Sequence, residues 1–104
     1  MREIKFRVWD VSDERMYYGI TNLADINGYV MQYTGIKDVH GRDIYEGDIV
    51  NCFRHEGFEF VTTRLGAHGI ETQLGFHPFI EVYGYAEVLG NIYENPELLD
   101  NASN

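Results

Sequence analysis

The side chains best suited to bind a metal are those of one cysteine and four histidines: Cys52, His40, His55, His68 and His77. A structural zinc site needs several ligands of this kind, which usually come in closely spaced pairs. Only Cys52 and His55 form such a pair here, and the other histidines stand singly among residues typical of turns. The spacing therefore argues against zinc, and we expect neither a metal nor an organic cofactor.

A group of carboxylates is the second candidate for metal binding: Asp38, Asp43, Glu46 and Asp48. Oxygen ligands of this type bind Ca²⁺ or Mg²⁺ when several of them converge on one point. The spacing does not match that of an EF-hand loop. Gly41 and Gly47 lie close behind acidic residues, as in tight turns where glycine supplies a positive φ angle. We therefore interpret this segment as two turns and not as a cation site.

The chain contains no motif of a catalytic nucleophile. It has neither a G-x-S-x-G elbow nor a phosphate-binding P-loop. The glycine-rich stretches 66–69 and 84–90 do not lie between a strand and a long helix, as a dinucleotide-binding loop must. A pair assembled from distant residues, such as Asp48 with His77, has no support in the sequence. We predict that the protein is not an enzyme, and we assign no catalytic residue.

Alternating hydrophobicity predicts a β-strand at the start of the chain. Ile4, Phe6 and Val8 alternate with the charged residues Lys5 and Arg7. This period of two predicts one buried apolar face and one charged face that points to solvent. The basic residues on this strand are then expected to lie on the surface.

Short segments rich in β-branched and aromatic residues predict the other strands, at 15–18, 29–33, 49–53, 58–65, 70–74 and 85–93. The strand at the start of the chain and the strand at 15–18 are predicted to form an N-terminal hairpin. Turns are predicted at 38–42, 46–48 and 66–69, where acidic residues or glycines cluster. Pro78 cannot donate a hydrogen bond to a ladder, so it marks a bend or the edge of a sheet.

A short helix is predicted near the C-terminus. Asn95 is a preferred N-cap residue, Pro96 suits the first helical position, and Glu97 is favourable at the positive end of a helix. These patterns together predict one mainly β domain that spans residues 1–104, with an N-terminal hairpin and a short C-terminal helix.

The charge of the chain is strongly negative and unevenly distributed. Its net charge is −9, from 8 basic and 17 acidic residues. The first fifteen residues are neutral, whereas the segment from Leu65 onward has six acidic residues and neither Lys nor Arg. Such a surface repels nucleic acids and anionic membranes. The single cysteine and the absence of a signal peptide or a long apolar run predict a cytoplasmic protein without a membrane partner.

Three segments carry a family resemblance: Met1–Asp10, Met31–Val50 and Glu87–Leu99. The second contains the strings QYTG and YEGDIV, and the third contains GNIYENPELL. In this order they resemble the YopX family of small phage and prophage proteins. The resemblance implies a compact, mainly β domain with an SH3-like barrel element, encoded by a bacteriophage or an integrated prophage. It implies no established activity, catalytic residue, cofactor or partner. Residues 51–83 lie outside the matching strings.

The matching segments contain nine signature positions that are candidates for binding, although we favour a structural role for each. These positions are Tyr33, Gly35, Asp38, Tyr45, Gly47, Asp48, Asn91, Tyr93 and Asn95.

The function expected from the sequence is that of a noncatalytic binding module in the cytoplasm of a host bacterium. It would engage a protein partner or a second copy of itself. The alternatives are a small barrel that binds nucleic acid, or an acidic DNA mimic that occupies a basic host protein.

Overall fold

The computed structural model describes residues 4–20, 27–52, 59–64, 67–72, 75–78 and 86–102. The elements in chain order are β1 (Phe6–Asp10), β2 (Arg15–Ile20), β3 (Gly28–Lys37), β4 (Asp43–Tyr45), β5 (Asp48–Cys52), β6 (Glu59–Arg64), β7 (Ala67–Thr72), β8 (Gly75–Pro78), β9 (Ala86–Asn91) and the helix α1 (Glu97–Ala102). The prediction of a mainly β protein with an N-terminal hairpin and a short C-terminal helix is confirmed. None of the described helices is long and apolar enough to cross a membrane.

The strands form two antiparallel sheets. The N-terminal sheet has the order β2-β1-β3-β4, and the five-stranded sheet has the order β8-β7-β6-β5-β9. Strands β4 and β9 are therefore terminal strands of different sheets. Pro78 lies in the terminal strand β8, so the sheet-edge interpretation of this proline is confirmed.

One cluster of the hydrophobic core is built mainly from the five-stranded sheet. It contains Ile44, Val50, Val61, Ile70 and Ala86, which come from β4, β5, β6, β7 and β9. Each of these side chains is at most 4% exposed. Full burial of a large aliphatic side chain contributes about 1.5–3 kcal/mol, so this cluster stabilises the small barrel-like domain.

Both turns predicted in the acidic segment are present. In the first, the amide of Asp38 donates to the carbonyl of Arg42 at 2.8 Å, and Gly41 has a φ of +83°. In the second, Gly47 has a φ of +87° between β4 and β5. Glycine adopts this region of φ with little steric cost, which explains its place in both turns.

Two sequence predictions about local structure were wrong. The three-residue strand β4 was missed, because it lies between two turns and is too short to show an alternating pattern. Residues 67–69 were assigned to a turn, but they lie in β7, where Ala67 pairs with Arg64. The predictions for His55, Tyr83 and Tyr85 lie outside the described residues, as do those for the side chains of Cys52 and His77.

Candidate functional site

A cleft of about 620 Å³ lies where β1, β2, β4, β5 and β9 meet. Backbone hydrogen bonds hold β9 at both of its ends. At one end, the amide of Val39 donates to the carbonyl of Ala86 at 3.0 Å. At the other, the amide of Ile92 donates to the carbonyl of Gly47 at 2.9 Å. Residues 88–91 line the cleft between these two connections.

A buried ion pair between the two sheets forms part of the cleft wall. The guanidinium of Arg7 donates to Oδ1 of Asp48 at 2.8 Å, and the two side chains are only 4% and 3% exposed. Oδ2 of Asp48 accepts a hydrogen bond from the amide of Tyr45 at 2.8 Å. Arg7 also donates to the carbonyl of Glu46 at 3.2 Å. The ion pair therefore attaches β1 to the turn that opens β5.

The burial of Arg7 overturns the prediction that this side of β1 faces solvent. Arg7 is 3% exposed, whereas Ile4, predicted to be buried, is 71% exposed. Val8, also predicted to be buried, is 4% exposed. Arg7 can be buried because Asp48 supplies a buried counter-charge from the other sheet. A buried charge is tolerated when it is paired and hydrogen-bonded.

Aromatic rings surround the Arg7 guanidinium. Its Cζ lies 4.7 Å from the centre of the Tyr45 ring and 6.0 Å from that of Tyr18. Cation–π attraction at these distances favours the charged guanidinium in a partly desolvated site. Its Nε atom is buried and has no hydrogen-bond partner among the described residues. The rings thus supply part of the electrostatic environment that water would otherwise provide.

Burial raises the pKa of Asp48 to about 6, against the opposing effects of the Arg7 charge and the Tyr45 amide. The desolvation of this carboxylate outweighs its favourable contacts. Asp48 therefore changes its protonation state at a pH well above the ordinary range of an aspartate.

Asp38 organises the neighbouring turn and connects it to β9. Its carboxylate accepts hydrogen bonds from the amides of His40 at 2.9 Å, Arg42 at 2.9 Å and Val88 at 3.0 Å, and from Nε of Arg42 at 3.1 Å. Burial acts to raise the pKa of Asp38, but these donors together outweigh it and lower the pKa below its usual value. Asp38 has a structural role in this turn.

Asn91 and Asn95 form the corresponding connection between β9 and α1. Oδ1 of Asn91 accepts hydrogen bonds from the amides of Tyr93 at 3.0 Å and Glu94 at 2.9 Å. The amide of Asn91 in turn donates to Oδ1 of Asn95 at 3.2 Å. The helix begins just after Asn95, close to the predicted start, with Leu98 donating to the Asn95 carbonyl at 3.1 Å. The side chain of Asn95 is directed back toward β9.

Tyr93 connects the helix end of the molecule to the N-terminal sheet. Its ring is stacked on that of Trp9, with centroids 5.9 Å apart, and on that of Tyr29, at 5.2 Å. Tyr33 is 4% exposed, and Nζ of Lys5 lies 4.6 Å from the centre of its ring. The stacking of Tyr93 on Trp9 and Tyr29 joins the N-terminal sheet to the segment after β9, whereas the contact of Lys5 with Tyr33 lies within the N-terminal part.

The structure brings some of the nine signature positions together. Tyr45, Asp48, Asn91 and Asn95 line the cleft. The others lie outside its lining: Tyr33, Gly35, Asp38, Gly47 and Tyr93. Gly35 has a φ of +87° within β3, in the interval where the pairing of β3 with β4 shifts register.

Sequence reasoning did not identify several residues of the cleft as parts of a site. These residues include Arg7, Tyr18, Arg42, Leu89 and Glu94. For Arg7, one signal was available: a charged residue in the middle of a mostly apolar strand could be buried and paired. Tyr18 and Leu89 gave no such signal, because exposed apolar residues are common on any protein surface.

The charged groups of the cleft already have partners within the protein. Asp43 accepts from Nζ of Lys5 at 2.7 Å and from Nζ of Lys37 at 2.6 Å. Burial acts to raise the pKa of Asp43, but the two lysines outweigh it and lower the pKa. The carboxylates of Asp38, Asp43 and Asp48 therefore serve separate contacts and do not converge on one point.

The chain is similar to a known protein family and to a protein of known structure. The family model of the YopX protein matches residues 20–100, which include strands β3 to β9. A crystal structure of protein EF1440 from Enterococcus faecalis is similar over 95% of this chain and 99% of that chain, with 25% sequence identity and a TM-score of 0.68. No curated protein matches the chain. Since the family match extends over most of the sequence, the chain belongs to the YopX family.

Proposed function

We propose that the protein is a noncatalytic binding module that holds a segment of a partner protein in the cleft. In this proposal, a bacteriophage or prophage encodes the chain, which acts in the cytoplasm of the host bacterium. One observation carries the proposal. The charged groups inside the cleft are paired with other groups of the protein, whereas the side chains at its rim are exposed and could contact a partner.

The exposed residues of the cleft lining form its rim: Tyr18, Arg42, Leu89 and Glu94. Tyr18 is 58% exposed and Leu89 is 38% exposed, and Glu94 is also exposed. Large aromatic and aliphatic side chains of this kind contribute most of the energy at protein interfaces when a partner desolvates them. The engaged state of Arg7, Asp43 and Asp48 supports binding over catalysis, because a reactive group needs access to its substrate.

The partner segment is expected to be apolar with a basic residue. Apolar side chains would cover Tyr18 and Leu89, and a Lys or Arg would lie near Glu94. The net charge of −9 favours approach of a basic partner at low salt.

Selection from a random peptide library tests this proposal directly. Dissociation constants of the selected peptides would be measured by fluorescence anisotropy. We expect Tyr18→Ala and Leu89→Ala each to weaken binding about tenfold or more, as for residues central to an interface. Tyr17→Ala is the matched control, because Tyr17 is the neighbouring tyrosine of β2 and points to the opposite face of the sheet.

Two results would contradict the proposal. One is a selection that yields no peptide, and the other is a set of peptides whose affinity is unchanged by both rim substitutions. Because all three substituted residues are exposed, circular dichroism should show the same fold in every variant.

The stacked rings favour a second candidate, the binding of single-stranded nucleic acid. Tyr29 is 55% exposed at the end of its stack with Tyr93, and such a ring can stack on a nucleobase. Fluorescence titration with a labelled oligonucleotide would support this function if binding weakens with salt and is lost in Tyr29→Ala. The absence of binding at low salt would exclude it.

A further inference from the structure

Three aromatic rings form a stack near one end of the N-terminal sheet. Trp9 of β1 pairs with Tyr29 of β3, so their side chains lie on the same face of the sheet. Tyr93, from the segment after β9, is stacked on both rings, at interplanar angles of 12° and 14°. The three rings are therefore nearly parallel, and we call them the ring stack.

One end of the ring stack is open to solvent. Tyr29 is 55% exposed, whereas Trp9 and Tyr93 are half-buried. Because Tyr93 covers one side of the Tyr29 ring, the exposed surface of Tyr29 lies mainly on its other face and along its edge. A cage for a round ligand needs rings set at steep angles to one another. Parallel rings instead offer a flat platform, on which a planar group can stack.

Tyrosine rings elsewhere in the molecule contact cations. Cζ of Arg7 lies 4.7 Å from the centre of the Tyr45 ring, and Nζ of Lys5 lies 4.6 Å from that of Tyr33. Both of these tyrosines are at most 5% exposed, so their faces serve contacts within the chain. Tyr29 presents the same electron-rich type of face to solvent, and such a face attracts a cation.

The charge around the ring stack favours a cationic ligand over a nucleobase. Glu94 directly follows Tyr93 and is exposed. Arg7 lies close enough to act on Tyr93 electrostatically, but its charge is paired with that of Asp48. The net charge of −9 attracts an organic cation and repels the phosphates that a nucleobase brings with it.

We propose that the open face of Tyr29 binds the guanidinium of an arginine in a partner protein. A guanidinium is planar, permanently charged and more weakly hydrated than an ammonium, so it stacks on an aromatic face at a lower cost of desolvation. None of the three rings lines the cleft, so this site is separate from the proposed peptide site. A nucleobase would compete for the same ring, which makes nucleic acid an alternative result of the test.

Titration of the full chain with three short peptides tests this inference. The peptides differ at one central residue, which is arginine, citrulline or lysine. Citrulline keeps the planar shape without the charge, and lysine keeps the charge without the planar shape. NMR shifts of the backbone amide at position 29 and of the Tyr93 ring protons would give the dissociation constants. We expect the arginine peptide to bind about twofold to fivefold more tightly than either of the others, as for a cation–π contact at an exposed site.

Substitutions of Tyr29 assign this preference to its ring. Tyr29→Phe should keep the preference for arginine because the ring remains, whereas Tyr29→Leu should remove it. Tyr17→Leu is the matched control, since Tyr17 is a partly exposed tyrosine of β2 outside the ring stack. It should leave the preference unchanged. The comparison of the three peptides uses the wild-type chain, so it decides the question even if Tyr29→Leu fails to fold.

Three results would overturn the proposal. The first is equal affinity of the wild-type chain for the three peptides. The second is a preference for arginine that persists in folded Tyr29→Leu. The third is a single-stranded oligonucleotide that shifts the same signals at lower concentration than the arginine peptide, which would assign the ring to a nucleobase. Tyr18→Ala should not alter the preference for arginine, so failure here and failure of peptide binding in the cleft are separate outcomes.

Discussion

The contact between Arg7 and Asp48 shows how one buried ion pair can join two sheets at an energetic cost. Removing both charges from water is unfavourable, and the interaction of the pair only partly offsets that loss. The pKa of Asp48 is raised to about 6 because the loss of hydration outweighs the attraction to Arg7. The pair therefore specifies how β1 lies on β5 more than it stabilises the domain.

Stability should depend on pH through Asp48. Its pKa is about 6 in the folded protein and near 3.8 in the unfolded chain, so the folded state holds this proton more tightly. The free energy of unfolding should therefore fall by roughly 2 kcal/mol as the pH rises from about 4 to about 7. Asp48→Asn should remove that decline, as measured by urea unfolding at a series of pH values.

Asp43→Asn is the control for this experiment. The pKa of Asp43 is lowered, so its stabilising contribution is lost only as the pH falls below the ordinary range of aspartate. The decline between pH 4 and 7 should persist in this variant. A wild-type protein whose stability rises through the same interval, relative to Asp48→Asn, would show that the pKa of Asp48 is lowered instead.

At the scale of elements, the turn between β4 and β5 is a junction for three parts of the fold. The amide of Gly47 donates to the carbonyl of Val61 in β6 at 2.9 Å, and its carbonyl accepts from Ile92 after β9. A Cβ atom at this position would lie 2.9 Å from Sδ of Met31 in β3. Gly47 therefore combines a left-handed backbone conformation with close packing around the turn.

Gly47→Ala should destabilise the protein more than Gly41→Ala does. Both glycines have positive φ angles, so alanine costs about 1 kcal/mol at either site. A Cβ at Gly41 has no neighbour within 4 Å, whereas at Gly47 it crowds buried Met31, which adds about 1–2 kcal/mol. Thermal unfolding of the two variants would measure this difference, and equal losses would contradict the role of packing at Gly47.

The elements that could be predicted from sequence are those determined by neighbouring residues. The turn at 38–42 follows from the Asp38 carboxylate, which accepts hydrogen bonds from the nearby amides of His40 and Arg42, and from the positive φ of Gly41. Asn95, predicted to cap α1, instead accepts a hydrogen bond at its Oδ1 from the amide of Asn91 in β9. The partners of Arg7 could not be predicted, because Asp48 is 41 residues away in sequence. The cleft was missed for the same reason, since its walls come from strands that only the tertiary fold brings together.

For the whole molecule, the net charge of −9 means that salt should affect self-association and nucleic-acid binding in opposite directions. Two copies of an acidic chain repel one another, and salt screens this repulsion within about 10 Å at 0.1 M. A nucleic acid bound through basic side chains would instead be released by salt. The direction of the salt effect therefore distinguishes self-association from nucleic-acid binding.

The stack of Trp9 on Tyr93 provides the protein with a built-in optical reporter. Trp9 is the only tryptophan in the chain, and its ring partner follows β9 at the far end of the sequence. Separation of the N-terminal sheet from the barrel would expose the indole to water and shift its emission to longer wavelength. Detachment of this sheet can therefore be followed in real time without an attached dye.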